Sequence, residues 1–242
     1  MQMSYDPSNP SSETGYASGR VIDAGLQAYM QSVYNMMSFG LVVTGLTAFG
    51  VANVPALFNL IFMTTLKFVV LLAPLAIIWF GFTPARMATK SAESLRGTFI
   101  LFSVLMGMSM AVIFQIFTGQ SIARVFFITA GTFAATSLYG YTTKRDLTAD
   151  GSFLFMGLIG ILIASAVNIF MQSAVVQFVV SAAGVVIFTG LAAWDTQRLK
   201  LMYRDGQTEA NAKMAVMGAL NLYLDFINLF QMLLHSMGQR NN

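Results

Sequence analysis

The sequence predicts an all-α integral membrane protein, a bundle of about seven transmembrane helices. Three observations carry this. Charged residues make up only 10% of the 242-residue chain, against about 25% in an ordinary soluble domain. Hydrophobic residues make up 56%, with 21 Phe among them, so there is too little polar surface to face water on all sides. The charges are also clustered, leaving residues 24–66, 97–123, 125–143 and 151–194 without one. A helix crosses a hydrocarbon core of about 30 Å with about 20 apolar residues, so the first and last of these runs hold more than one element.

In chain order, residues 1–28 read as a disordered polar tail, rich in Ser, Pro and Gly near its start, and residues 29–238 as the seven-helix domain. No small-residue cleavage pattern follows the first apolar run, so a signal peptide is not expected and the mature protein is expected to be the whole chain. The first span covers about 33–52 and stops at Asn53-Val54-Pro55. The second begins near 62 or 68, carries Pro74 and stops before Thr83-Pro84. Neighbouring helices can satisfy the carbonyl freed by such a proline. The remaining spans cover about 98–117, 121–139, 152–170, 174–194 (continuing helically to 203) and 212–235. Links as short as Thr118-Gly119-Gln120 and Met171-Gln172-Ser173 make successive helices antiparallel neighbours.

With seven spans, ten of the 13 Lys and Arg residues fall on one side: Arg20, Arg86, Lys90, Arg96, Lys144, Arg145, Arg198, Lys200, Arg204 and Lys213. Lys67, Arg124 and Arg240 fall on the other. The positive-inside rule then puts the N-terminus in the cytoplasm. The C-terminus lies outside if the seventh span crosses, or returns to the cytoplasm if it re-enters.

Two acids stand apart. Asp225 lies within the last apolar run, and Asp195 near the cytoplasmic end of the sixth span. An acid at a helix centre costs on the order of 2.5–3.5 kcal/mol on insertion scales, so it must face protein or water. Asn221, Asp225, Asn228, Met232 and His235 recur at spacings of four and three, one stripe of an otherwise apolar helix. That stripe predicts a central helix with its polar face toward a cavity, and makes Asn221, Asn228 and His235 candidate pore-lining residues. An interhelical hydrogen-bond seam without conduction is the alternative. At 1.5 Å per residue, Asp225 lies about 18 Å from Lys213 and Asp195 about 12 Å from Tyr203, so contact between the two acids is plausible. If they touch, both cannot ionise cheaply and they titrate as a unit, either as a proton-sensitive latch or as a transient Ca2+ site. Asp195 could instead be a solvated helix end paired with Arg198 or Lys200. Arg86 is the cytoplasmic base best placed to reach an acid at the inner mouth.

Cysteine is absent and the 17 methionines form no metal-binding cluster. Phosphate-loop, Ser/His and metal-ligand spacings are missing, and nothing points to nucleic acid.

Leu222-Tyr223-Leu224-Asp225-Phe226-Ile227-Asn228-Leu229-Phe230 resembles the last-helix motif of the transmembrane Bax inhibitor motif (Bax inhibitor-1-like) family. Asp195-Thr196-Gln197 resembles its sixth-helix motif, with Trp194 where a Tyr is usual, and residues 137–147 resemble the end of the fourth helix in bacterial members. The resemblance implies two three-helix layers around a central seventh helix, in a bacterial inner membrane. It also implies a pH-dependent calcium leak gated by the paired aspartates, here Asp195 and Asp225, with calcium as the transported ion and no cofactor. Some relatives are linked to membrane proteases, which supplies a second reading as an interaction protein in stress or cell-death pathways. An intramembrane aspartyl protease is a remote third reading, because Asp225 lacks the Gly-x-Gly-Asp signature of that class. The leading expectation is therefore not an enzyme.

Overall fold

The computed structural model describes residues 10–241, so residues 1–9 of the expected tail lie outside the described residues. Ten helices follow one another: α1 (Pro10–Asn53), α2 (Pro55–Phe62), α3 (Leu66–Gly81), α4 (Pro84–Thr89), α5 (Ala92–Met110), α6 (Ile113–Ile116), α7 (Gly119–Thr142), α8 (Thr148–Met171), α9 (Ala174–Met202) and α10 (Thr208–Met237).

Six stretches are long and apolar enough to cross a bilayer: Ala24–Asn53 within α1, Ala92–Ile116 (α5 with α6), and α7, α8, α9 and α10. The second predicted span is different. It consists of α2 and α3, bent by 81° at Met63-Thr64-Thr65, and passes as a span only if the pair is counted together. At 1.5 Å per residue the 16 residues of α3 reach about 24 Å, short of a full hydrocarbon core. At the break the Thr64 hydroxyl donates back to the Leu60 carbonyl at 2.6 Å, replacing a helical partner. Pro74 sits buried inside α3 without ending it.

The first helix is longer than expected, for its backbone is helical from Pro10, through much of the stretch read as a tail. Pro is well placed at a helix start, no further proline intervenes before Pro55, and extending an existing helix is cheaper than nucleating one. Its end is where the sequence put it: Val54 is extended (φ −109°, ψ 95°), as a residue before proline must be.

Hydroxyl caps start several helices. Thr83, Ser91, Thr118 and Ser173 accept the backbone N–H three residues on, beginning α4, α5, α7 and α9. The α8–α9 turn uses Gln172 in the left-handed conformation (φ 50°), braced by Asn168 Oδ1 accepting from Ser173 N at 3.0 Å.

Helix α10 is central. Of its most apolar stretch 67% is buried, against 11–33% for the other five. It packs on α1, α5, α7 and α9, while α5 joins α1 to α3 and α9 joins α7 to α8. Small residues let backbones close in. A Cβ at Gly140 of α7 would overlap the Ala193 carbonyl of α9, and one at Gly107 of α5 would lie 2.5 Å from the Thr44 carbonyl of α1. Inside the core, Thr44 Oγ1 donates to Ser103 O at 2.9 Å and shares a 2.6 Å hydrogen bond with Tyr223 OH, tying α1, α5 and α10 together. The rings of Phe99 and Phe102 meet Tyr223 edge-on at 5.6 and 5.5 Å.

The α10 helix runs from one end of the bundle to the other. At its start Glu209 Oε1 accepts from Ala92 N at 3.1 Å and Lys213 Nζ donates to Met87 O at 3.2 Å. At its finish the chain bridges Phe117 through Arg240, with Thr118 N donating to Gln239 O at 3.0 Å. Thirty residues span about 45 Å. The first end also carries Arg86, Lys90, Lys144, Arg145, Arg198 and Lys200, and is called the basic end below.

Candidate functional site

Asp195 and Asp225 meet. Both residues are buried, and their carboxyls face each other across the seam between α9 and α10. The helix rise explains the register. Met202 lies about 10 Å past Asp195 and Thr208 about 25 Å past Asp225, so α10 projects beyond the end of α9 and brings the two acids level. Asp225 Oδ2 has no hydrogen-bond partner among the described residues. Two carboxyls this close and out of water cannot both ionise cheaply.

Successive residues of a helix point about 100° apart, and Asp195-Thr196-Gln197 uses that to reach three elements. Asp195 turns to α10. Thr196, fully buried, shares a 3.3 Å hydrogen bond with Tyr34 OH of α1. Gln197 clamps the α7–α8 turn, accepting from Leu147 N at 2.8 Å and donating to Arg145 O at 2.7 Å. One turn further on, Lys200 Nζ donates to Tyr141 O at 2.9 Å and stands 5.0 Å from the Tyr141 ring centre. Within that turn, outside the spans, hydrogen bonds from Thr148 hold the Asp146 carboxyl below the usual carboxylate range. Arg145 pairs with Asp150 at 3.0 Å.

The remaining predicted site residues are placed differently from the expectation. Two residues of the α10 stripe lie against α9: Asp225 meets Asp195, and a Cβ at Gly184 of α9 would come within 2.7 Å of Met232. Asn228 turns its amide back to Leu224 O at 2.8 Å, half-buried, and Asn221 is half-buried two turns from Asn228. His235 is exposed near the far end of α10, its ring 5.7 Å from that of Phe117. Arg86 stands exposed on α4, and its side chain has no hydrogen-bond or ion-pair partner among the described residues. A nearer base in sequence is Arg198, three residues along α9 from Asp195 and stacked 5.2 Å from the Trp194 ring. Polar lining lies elsewhere, in a groove of about 1150 Å³ between α1 and α7. Gln27, Gln31, Asn35 and Ser38 on α1 contribute to it at spacings of four and three, a stripe as readable in the sequence as the one on α10.

The sequence profile of the family described as inhibitor of apoptosis-promoting Bax1 matches residues 26–242. The chain belongs to the Bax inhibitor-1-like family. An uncharacterised protein of Rickettsia prowazekii is 44% identical over 231 residues, 95% of this chain and 97% of that one. The inner membrane protein YbhL of Escherichia coli is 44% identical over 221 residues, 90% of this chain and 94% of its own. An uncharacterised protein of Caulobacter vibrioides is 43% identical over 229 residues, 90% of each chain. None of these names carries an enzymatic activity. In this Bax inhibitor-1-like chain the Asp195-Thr196-Gln197 motif is thus a three-way junction, and the last-helix motif around Asp225 is its partner across the α9–α10 seam.

Proposed function

We propose that the protein is a pH-sensitive cation leak of a bacterial inner membrane, gated by the Asp195–Asp225 pair, with calcium as the transported ion. The observation that carries this reading is the pair of buried carboxyls facing each other between α9 and the central α10, with one Asp225 oxygen left without a partner. With one proton between them the carboxyls hold α9 to α10 and seal the bundle near its basic end. Loss of that proton leaves two like charges, which either repel or take up a cation between them. Two carboxylates offer four of the six to eight oxygens that Ca2+ takes, so the ion would pass with water instead of residing. Because α9 also carries Thr196 and Gln197, a shift of Asp195 would move the contacts to α1 and to the α7–α8 turn together. The family resemblance supplies the ion and the leak, and the name of the E. coli relative supplies the membrane.

The test is calcium flux into liposomes holding the purified protein, measured across several pH values beside Asp195→Asn and Asp225→Asn. The expected outcome is a pH-dependent flux whose midpoint moves by about one pH unit or more, or disappears, in each variant. A profile unchanged in both variants would remove the gate, and no flux above empty liposomes would remove the channel.

One observation favours an interaction role as a second reading. Helix α8 is buried over only 11% of its apolar stretch and presents Phe153, Met156, Ile163 and Phe170 outward. A membrane protease docked on that face would be lost on polar substitution there, with flux intact.

A further inference from the structure

The groove between α1 and α7 plays no part in the gate just described, and its chemistry is uneven along its length. We propose that it binds a single bilayer phospholipid with an anionic headgroup, the headgroup at the basic end and an acyl chain along the floor.

Its size and shape come first. The cavity of about 1150 Å³ shares Leu41, Gly45, Phe126 and Phe226 with a second of about 290 Å³, so the two form one long channel open on its side. That exceeds the usual small-molecule site of about 300–1,000 Å³. Both walls belong to candidate membrane spans, so the opening faces lipid. An apolar void at that depth forfeits dispersion contacts along its whole lining, and a chain of methylenes restores them.

Polarity comes second. Toward the basic end the walls carry Gln31, Asn35 and Ser38 from α1 and Ser137 and Tyr141 from α7. The amides of Gln31 and Asn35 make no side-chain hydrogen bond among the described residues, although both lie within a span. Ser137 is 5% exposed, and its hydroxyl is a buried polar atom without a partner. A helical serine commonly donates back one turn, and groups left unsatisfied at membrane depth are costly. Ester and phosphate oxygens would satisfy the two exposed amides, with Ser137 just beneath them. Past Leu41 the lining turns apolar, with Leu46 and Phe126 as walls and Phe226 as floor.

Charge comes third and selects the headgroup. Lys200 is held against Tyr141, which lines the polar end, and Lys144 lies on the turn just beyond. Arg145 is taken up by Asp150, and the Asp146 carboxylate is turned to the Thr148 amide. Lys144, and the N–H donors of Lys200 not spent on Tyr141 O, are therefore left for a phosphate just outside the polar end of the groove. A lipid seated here would also touch Phe226, beside Asp225, and Tyr34, whose hydroxyl bonds Thr196 beside Asp195.

The test uses full-length protein in liposomes doped with a phosphatidylglycerol that carries a photoactivatable diazirine on its acyl chain, with adducts mapped by peptide mass spectrometry. Labelling at Leu41 and Phe126 is expected to exceed that at Ile159 and Leu162 on the outer face of α8 severalfold. A Cβ at Gly45 would meet nothing within 4 Å, so Gly45→Trp fills the groove without a clash at its root. It is expected to remove the groove adducts and keep those on α8, and Ala134→Phe on the opposite wall to do the same. A phosphatidylcholine with the same chain is expected to label the groove about fivefold less, the effect of one lysine at a membrane surface, and Lys200→Gln to erase that preference. Groove labelling no stronger than on α8, or unmoved by both filling variants, would overturn the site. Equal labelling by the two lipids would overturn the headgroup assignment. None of these readings depends on ion flux, so the lipid site and the gate stand or fall separately.

Discussion

Among single residues, Gln197 shows how a side chain can belong to a recognisable motif while the sequence leaves its role unread. Its amide closes the α7–α8 turn with two hydrogen bonds, to Leu147 N and Arg145 O, at a position 8% exposed. Gln197→Ala should cost about 1–3 kcal/mol, the range for a buried group left unpaired. It should also speed amide exchange at Leu147 more than at any residue of α8, as seen by hydrogen–deuterium exchange. The acids were legible because a carboxyl inside an apolar run is expensive and needs a reason. A glutamine near a helix end needs none, so its role emerged only when the turn was seen folded over it. Thr44 and Tyr223 escaped notice for the same cause: both residue types are ordinary in apolar helices, and only their 2.6 Å contact across the core makes them special.

Among elements, the helix pairs are set by how near two backbones can come. Gly140 is the tightest such point, against the Ala193 carbonyl two residues before Asp195. Gly140→Val should push α7 from α9, cost about 1–3 kcal/mol or more as overpacking does, and lower the melting temperature in detergent. Charge clusters and Pro- or Gly-bearing turns bracket most of the six long spans, and the α8–α9 link is marked only by the polar Gln172-Ser173. The break in the second span was not readable, since it falls at Met63-Thr64-Thr65, where no proline or glycine marks it. The stripe on α10 meets more than one neighbour, with Asp225 and Met232 against α9 and His235 against Phe117. Periodicity says which residues share a face and is silent about what lies opposite, here the small Gly184 and the acid of α9.

Across the whole molecule, α10 fills the middle and the residues after it strap it in place. Asn241 N donates to Ile116 O at 2.9 Å, its side-chain amide points at the Phe114, Gln115 and Phe117 carbonyls, and Gln239 N donates to Ser121 Oγ at 2.9 Å. These contacts satisfy carbonyls that the short α6 leaves over. Removing residues 239–242 should lower the unfolding midpoint by about 2–4 °C for each kcal/mol lost, while near-ultraviolet circular dichroism shows the core intact. The central place of α10 has a further consequence for how the protein is made. Ribosomes add about 5–20 residues per second, so the 30 residues of α10 take about 2–6 s to emerge after α9 is complete. Throughout that interval the earlier helices sit in the bilayer around a vacancy, with the Asp195 side of α9 unmatched. Insertion of the last helix is then the step that fills the centre of the bundle and gives Asp195 its partner.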